Sequence, residues 1–565
     1  MVALLDYYWP FNLVIVSVVA AGVLTIAILS YLRYLYVDFP SIQGIPEIPG
    51  GEILAGHLYQ LGNDHATTAE RWSLKFGWPV FQIRMGHRRA VVINSFNAAR
   101  DWMIKNQSAT LDRPSFYTFH KVVSATSAAT IGTSPWNERT KKQRRVVGSL
   151  TTGPAIQKLR PMLDLETFSM VSGIYNDSEN GRIGIVPHIY QKRLALNIMM
   201  MFCYGTRFES ITDPLLLQIL EDASTIASFR STNSNPQDFI PYLRYWRKEG
   251  RTATALEVRE RRDKWLATML DGARESIRLR TGDRKCVAKL LLTDEQEGLT
   301  KLDVKTILGG LMSGGFETVF STAIIAIGVL STPQGQYIQE RAYADILNVY
   351  KSSEDAFELC VSEEKCAYVS SIVKETLRFY PPLKLLPARQ SFKEFMYQEA
   401  VIPEGVLIYL NAQAANRGMG VHLVLLLGYS TNLSIPDQTV YGPDADEFRP
   451  DRWLKAEHDI PPPYHFAFGA GSRMCTAVKF SNRVLYATIL RLIVSFRIVE
   501  EEECPPNTHY VHYKRDPTAS NAIASDFKVR FIPRDENALQ RMFERSQELC
   551  AATIAETAGT VMGIP

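Results

Sequence analysis

Strong net charge is missing from this chain: 62 Lys+Arg against 59 Asp+Glu leave +3 over 565 residues. That is too little to imply a nucleic-acid partner, so electrostatic arguments rest on local clusters. Ordered cysteine spacing is missing as well. The seven cysteines (Cys203, Cys286, Cys360, Cys366, Cys475, Cys504, Cys550) follow neither a zinc-binding nor a disulfide-framework pattern, and an odd count leaves one over. Such usage fits a reducing, cytosol-facing body. No glycine fingerprint of a flavin or nicotinamide site is followed by its acidic residue, and no internal repeat is present. With 46% hydrophobic and 21% charged residues the composition is that of an ordinary globular protein, which excludes extensive disorder.

Charge is absent altogether from Phe11 to Leu32. A helix over that run rises about 33 Å, enough for the hydrocarbon core of a bilayer, and it is expected to be a membrane anchor. The alternative, a cleaved signal peptide, lacks a preceding basic segment and a convincing cleavage site. Arg33 after the run, against Asp6 before it, favours a cytosolic C-terminal body. Next comes Ile42-Gln43-Gly44-Ile45-Pro46-Glu47-Ile48-Pro49-Gly50-Gly51, which reads as a stiff linker. Val80–Met85 and Arg89–Ile93 around Gly86-His87 predict a hairpin. Helical spacing dominates from about residue 155 to 380, as in Leu302–Leu330, and strand signals return at Phe527–Ile532. The expected fold class is mainly α with small β-sheets. The expected division is an anchor and linker at 1–40, a main folded domain at 41–534 and a C-terminal tail at 535–565. Residues 418–440 read as an insertion, because the apolar run Leu423–Leu427 interrupts a connection that should be polar.

One loop concentrates chemistry. Phe468-Gly469-Ala470-Gly471-Ser472-Arg473-Met474-Cys475 stands directly ahead of a helical stretch, Lys479–Val494. If a haem sits there, each residue type has a role. A thiolate donates electron density to iron, and N–H groups at the start of a helix stabilise that anion. Gly469 and Gly471 let the backbone approach the porphyrin, and Arg473 can pair with a propionate. The plainer alternative is a buried structural cysteine beside a glycine turn. At every fixed position the segment resembles the haem-binding signature of cytochrome P450 enzymes, Phe-x-x-Gly-x-Arg-x-Cys. It departs from the family at Ala477, where glycine is usual, which places a methyl at the haem edge.

The resemblance implies the cytochrome P450 fold behind a single N-terminal transmembrane helix, and heme b with Cys475 as the axial ligand of its iron and Phe468 in the same cradle. Glu375 and Arg378 lie three apart on one helix face, as do Glu179–Arg182 and Glu275–Arg278, so spacing alone does not single the pair out. By resemblance Arg452, in Phe448-Arg449-Pro450-Asp451-Arg452-Trp453, joins them in a structural triad. Ser313-Gly314-Gly315-Phe316-Glu317-Thr318 interrupts an apolar helix with paired glycines, each costing about 1 kcal/mol. The resemblance assigns Thr318 as the hydroxyl and Glu317 as the acid of an oxygen-binding groove. Against this stands a glycine-mediated helix crossing with Thr318 bonded back to its own helix. Arg389, in Leu386-Pro387-Ala388-Arg389-Gln390, is expected in a strand and by resemblance reaches a propionate, the alternative being a surface ion pair. Trp136 heads a helix that by resemblance approaches the propionates. The family's usual arginine there is Thr140, which leaves Arg139, Lys141 and Arg144 as substitutes. The same basic cluster suits an acidic reductase, or is only a solvated face.

Several stretches, among them Asp64-His65-Ala66, Asp112-Arg113-Pro114 and Leu383-Lys384-Leu385-Leu386-Pro387, resemble fungal phenylacetate hydroxylases more specifically. The function this implies is hydroxylation or related oxidation of a small aromatic substrate with O2, in phenylacetate-type catabolism or secondary metabolite biosynthesis. Electrons would come from NADPH through a separate NADPH–cytochrome P450 reductase, and the location would be the endoplasmic reticulum membrane with a cytosolic catalytic domain. Two alternatives remain open: an oxygen-independent haem-thiolate isomerase or dehydratase, and an inactive haem-binding protein in which the 418–440 insertion disturbs the approach of Arg452.

Overall fold

Alternating β-formers on either side of Gly86-His87 fold as the expected hairpin, β1 (Val80–Met85) paired antiparallel with β2 (Arg88–Ile93). The computed structural model describes residues 5–35, 37–125, 131–246, 250–279, 286–293, 298–417, 440–454 and 460–558. Among them, β3 (Arg389–Gln390), β4 (Phe395–Tyr397), β5 (Ala400–Ile402) and β6 (Leu407–Leu410) follow the helical half of the chain. The main sheet has the order β1-β2-β6-β3, and β4-β5 and β7 (Phe496–Glu500) with β8 (Val529–Pro533) form two small antiparallel pairs. The molecule is therefore mainly helical with small sheets.

The segment from Ile42 to Gly51 is docked rather than a spacer. Its apolar residues Ile42, Ile45 and Ile48 are buried, and the buried Gln82 amide bonds Ile42 N and O at 2.9 Å and Ile45 O at 2.5 Å. The N-terminal helix runs Leu5–Leu35, and its described side chains from Val16 to Leu32 are exposed. That described apolar stretch is shorter than the ~20 residues a bilayer crossing takes. The other long apolar run, Lys301–Ser331, is mostly buried in the body.

Expected as one helical stretch, Leu302–Leu330 is two helices, Lys301–Gly315 and Glu317–Ser331, meeting at Phe316. The second is buried along almost its whole length and packs against the helix Val478–Ser495, so the core lies between the glycine break and the cysteine-bearing loop. Beyond residue 535, where a tail is expected, Glu536–Ala558 form a helix. Phe543 in it meets Phe168 and Tyr175 edge-on, and Arg541 pairs with Glu354 at 2.8 Å.

Candidate active site

The cysteine loop depends on two glycines for different reasons. Both have left-handed backbones, Gly469 at φ +70° and Gly471 at φ +61°. A Cβ on Gly471 would lie 1.8 Å from the Met103 carbonyl oxygen, whereas at Gly469, which lines the cavity described below, the nearest atoms are 4.0 Å away. Gly469 thus keeps the cavity wall bare, while Gly471, which does not line the cavity, lets the loop pack closely on Met103. Cys475 N–H donates to Phe468 O at 2.9 Å, closing the loop. The Cys475 Sγ accepts from Ala477 N–H at 3.4 Å, immediately before the helix Val478–Ser495. Ala477 has φ −99°, so its methyl brings no backbone strain. Burial pushes the Cys475 thiol up, and the Ala477 N–H and the Arg144 guanidinium act against it.

Cys475 opens onto a cavity of about 350 Å³. Five arginines line it, and four of them, Arg113, Arg144, Arg389 and Arg473, stand together. They donate to main-chain carbonyls: Arg473 to Ser134 O at 2.9 Å, Arg144 to Met474 O at 2.8 Å, Arg113 to Ala388 O at 2.8 Å and Arg389 to Ala470 O at 2.5 Å. Among the described residues none of the four forms an ion pair with a carboxylate. Burial, then the charge of the neighbouring arginines, brings Arg389 down to about 9 and Arg473 down to about 8. Buried cations without counter-ions are costly, and the Nε atoms of Arg113 and Arg473 are buried without a partner. A dianionic edge beside an anionic sulfur ligand answers that need. A haem, with two propionates and a metal that binds thiolate, fits this donor set.

Arg389 and Arg473 both line the cavity. Trp136 does not line the cavity; it stands behind Arg473, whose guanidinium carbon is 5.6 Å from its ring centre, and its main-chain N–H donates to Asp112 Oδ1 at 2.6 Å. Of the three basic candidates on the helix Glu138–Leu150, Arg144 reaches the cavity. Arg139 bonds Asp303 at 2.5 Å and Lys141 pairs with Glu138 at 3.4 Å, so both point elsewhere.

At the glycine break the two glycines meet different surroundings. Gly315 lies under Met199, whose Sδ a Cβ would approach to 2.4 Å, so this glycine serves a helix crossing. Gly314 has open space instead, and both glycines line the cavity with Thr318. The Thr318 hydroxyl donates back to Gly314 O at 3.1 Å. Glu317 turns away from that hydroxyl: its Oε2 accepts from Asn521 Nδ2 at 2.5 Å and lies 3.8 Å from Arg230 Nη2. The two side chains thus have different partners, Thr318 its own helix and Glu317 the Asn521 amide and the Arg230 guanidinium. Burial pushes the Glu317 carboxyl up, opposed by Arg230 and Asn521.

The triad assembles in full. Arg378 binds Glu375 through two nitrogens at 2.8 and 2.9 Å, and Arg452 Nε reaches the same carboxylate at 3.0 Å. Trp453 Nε1 and the Arg449 N–H add donors at 2.9 Å each. Burial alone would raise the Glu375 carboxyl, yet the arginines hold it below the usual range. Residues 418–439 of the expected insertion lie outside the described residues. Their flanks meet at the triad, where Arg378 Nη1 bonds both Asn416 O at 3.0 Å and Ala445 O at 2.8 Å. The approach of Arg452 is therefore intact, which removes the ground for the inactive alternative.

The model of the family described as Cytochrome P450 matches residues 46–419 and 424–513. The chain belongs to the cytochrome P450 family. Phenylacetate 2-hydroxylase of Emericella nidulans is 38% identical over 538 residues, covering 94% of this chain and 99% of that protein. 3-Hydroxyphenylacetate 6-hydroxylase of the same organism is 34% identical, covering 87% of this chain and 89% of that protein. A cytochrome P450 monooxygenase of Mycosarcoma maydis is 30% identical, covering 86% of each chain. This P450 is a monooxygenase, and the oxygen-independent alternative is not favoured by relatives that are hydroxylases and a monooxygenase.

Sequence reasoning missed three groups of this P450 site. Arg113 stood in a stretch noted only for ancestry. Arg230 and Asn521 carry no motif, and Asn521 lies 204 residues from its partner Glu317, so no local signal could have found them.

Proposed function

We propose that this P450 hydroxylates a small arylacetate-type substrate, with Cys475 as the axial ligand of heme b and Arg113, Arg144, Arg389 and Arg473 toward its propionates. The single observation that carries the reading is the Cys475 sulfur opening onto a cavity in whose wall Arg113, Arg144, Arg389 and Arg473 make no ion pair with any described carboxylate. Bound there, the haem would supply activation of O2. The protein's own groups bind and orient. Apolar side chains such as Phe119, Ile131, Leu311 and Val319 line the same cavity and suit an aromatic ring. Thr318 offers a hydroxyl for holding or passing a proton, and Glu317 serves as the buried acid one residue before it.

Electrons would come from NADPH through a separate reductase. Support for its docking is the helix Glu138–Leu150, which presents exposed Lys141 and Arg145 while Arg144 touches the cysteine loop at Met474. The uncharged run from Phe11 to Leu32 would anchor the chain in the endoplasmic reticulum membrane with the body in the cytosol. The two named hydroxylases of Emericella nidulans act on phenylacetate and 3-hydroxyphenylacetate, which favours this substrate class over larger molecules. The test is a titration of the purified haem-loaded chain with a panel of arylacetic acids, following the spin-state shift of the Soret band. Saturable shifts with small arylacetates support the reading, and shifts confined to larger or aliphatic compounds contradict it.

A further inference from the structure

We infer that Arg230 is the specificity-determining residue that binds the substrate's carboxylate, an inference that rests on the arylacetate reading above. The cations of the cavity wall differ in what already occupies them. Arg113, Arg144, Arg389 and Arg473 give N–H groups to main-chain oxygens. Lys384 is held by Asp64 at 3.3 Å and Val511 O at 3.1 Å, and Lys514 by Pro517 O and Ala519 O at 3.1 Å each. Arg230 also lines the cavity, yet its guanidinium makes no hydrogen bond to any described residue. Its Nε is buried without a partner, and its nearest counter-charge, Glu317 Oε2, is 3.8 Å from Nη2, beyond hydrogen-bond reach.

A guanidinium carries five N–H donors in a planar fork that matches a carboxylate with two parallel bonds, so one left without hydrogen bonds in a cavity wall is a receptor for that group. Its position suits the chemistry. A carboxylate on Arg230 leaves an aryl ring against Phe119, over which the guanidinium lies at 5.7 Å, inside the same cavity that Thr318 lines. Glu317 does not bar the second carboxylate: Asn521 already holds it at 2.5 Å, and burial favours its neutral form. A merely structural role, Arg230 neutralising Glu317, would use the same contact and has to be separated by experiment.

The haem-loaded full chain is titrated with phenylacetate and with its uncharged isostere phenylacetamide, reading the spin-state shift, for the wild type and for Arg230→Gln, Arg230→Lys and Arg230→Gln/Glu317→Gln. The inference expects phenylacetate to bind roughly 30-fold or more weakly to Arg230→Gln, the loss typical of truncating a buried charge pair, with phenylacetamide little changed. Arg230→Lys keeps the charge without the fork and should lose less, again for the acid alone. It also answers the question should Arg230→Gln fail to retain haem. The double variant should stay as weak as Arg230→Gln. Recovery of phenylacetate binding in the double variant, or equal weakening of acid and amide in either single variant, overturns the inference in favour of a structural Arg230. A wild type that binds phenylacetamide but not phenylacetate overturns the inference and leaves the aromatic reading standing. A wild type that responds to neither ligand sinks the arylacetate reading and the inference with it.

Discussion

Replacing Glu375 by Gln changes one atom in a fully buried charge cluster, and the structure sets the size of the effect. Five donors converge on this carboxylate: two from Arg378 and one each from Arg452, Trp453 and the Arg449 main chain. Three meet Oε1 and two meet Oε2, so an amide NH2 at either position faces at least two N–H groups head-on. Each buried donor left unsatisfied costs about 1–3 kcal/mol, and removing one partner of a buried ion pair costs about 3–5 kcal/mol. Glu375→Gln should therefore destabilise the fold by about 3–5 kcal/mol. The assay is chemical denaturation followed by far-UV circular dichroism, with Arg452→Met and the double variant closing a cycle. The pH dependence has a definite sign. Because the folded carboxyl is held low, its contribution is complete above the unfolded value of about 4.3 and fades as pH falls through the lower folded value. The gap between wild type and Glu375→Gln should thus close only in acid. A gap below about 1 kcal/mol at neutral pH, or one that closes on raising the pH, would refute the reasoning.

Gly471→Ala should abolish stable haem retention, since a Cβ has the Met103 oxygen 1.8 Å away, while Gly469→Ala should cost only the left-handed backbone penalty of about 1–2 kcal/mol; equal losses in thermal melts would contradict this. Asp303 is pushed up by burial but held down to about 2 by Thr300, Arg139 and Gln143. Its stabilisation is present above the unfolded value of about 3.9 and lost as pH falls toward the folded one, so Asp303→Asn should lower the melting midpoint at neutral pH and converge with the wild type in acid. A gap in melting midpoint constant down to about pH 2 would be the wrong result.

Much of this site is legible in the sequence because its chemistry is local. The cysteine loop packs sulfur, glycines and arginine into eight residues, and Glu375 with Arg378 share a helix turn, so their geometry follows from secondary structure alone. Arg139, Lys141 and Arg144 share a short helix and could not be ranked. Only tertiary contact separates them, Asp303 drawing Arg139 away and the Met474 carbonyl receiving Arg144. Paired glycines at 314 and 315 announced a break in the helix but not that one would have open space beside it and the other Met199, since that depends on a second helix, His188–Tyr204. Glu317 was legible as an acid beside Thr318, yet its direction is set by Arg230 and Asn521, both far away in sequence. The Ile42–Gly51 segment read as a spacer because prolines and glycines mask its apolar residues, which Gln82 and the sheet then capture.

The central claim is that the Cys475 sulfur is the ligand of the haem iron. The most direct test is the reduced carbon-monoxide difference spectrum of the purified full-length chain beside Cys475→Ser. The wild type should give the Soret band of a thiolate-ligated haem and the variant should lose it. A wild-type band typical of histidine ligation, or a thiolate band that survives unchanged in Cys475→Ser, would contradict the account.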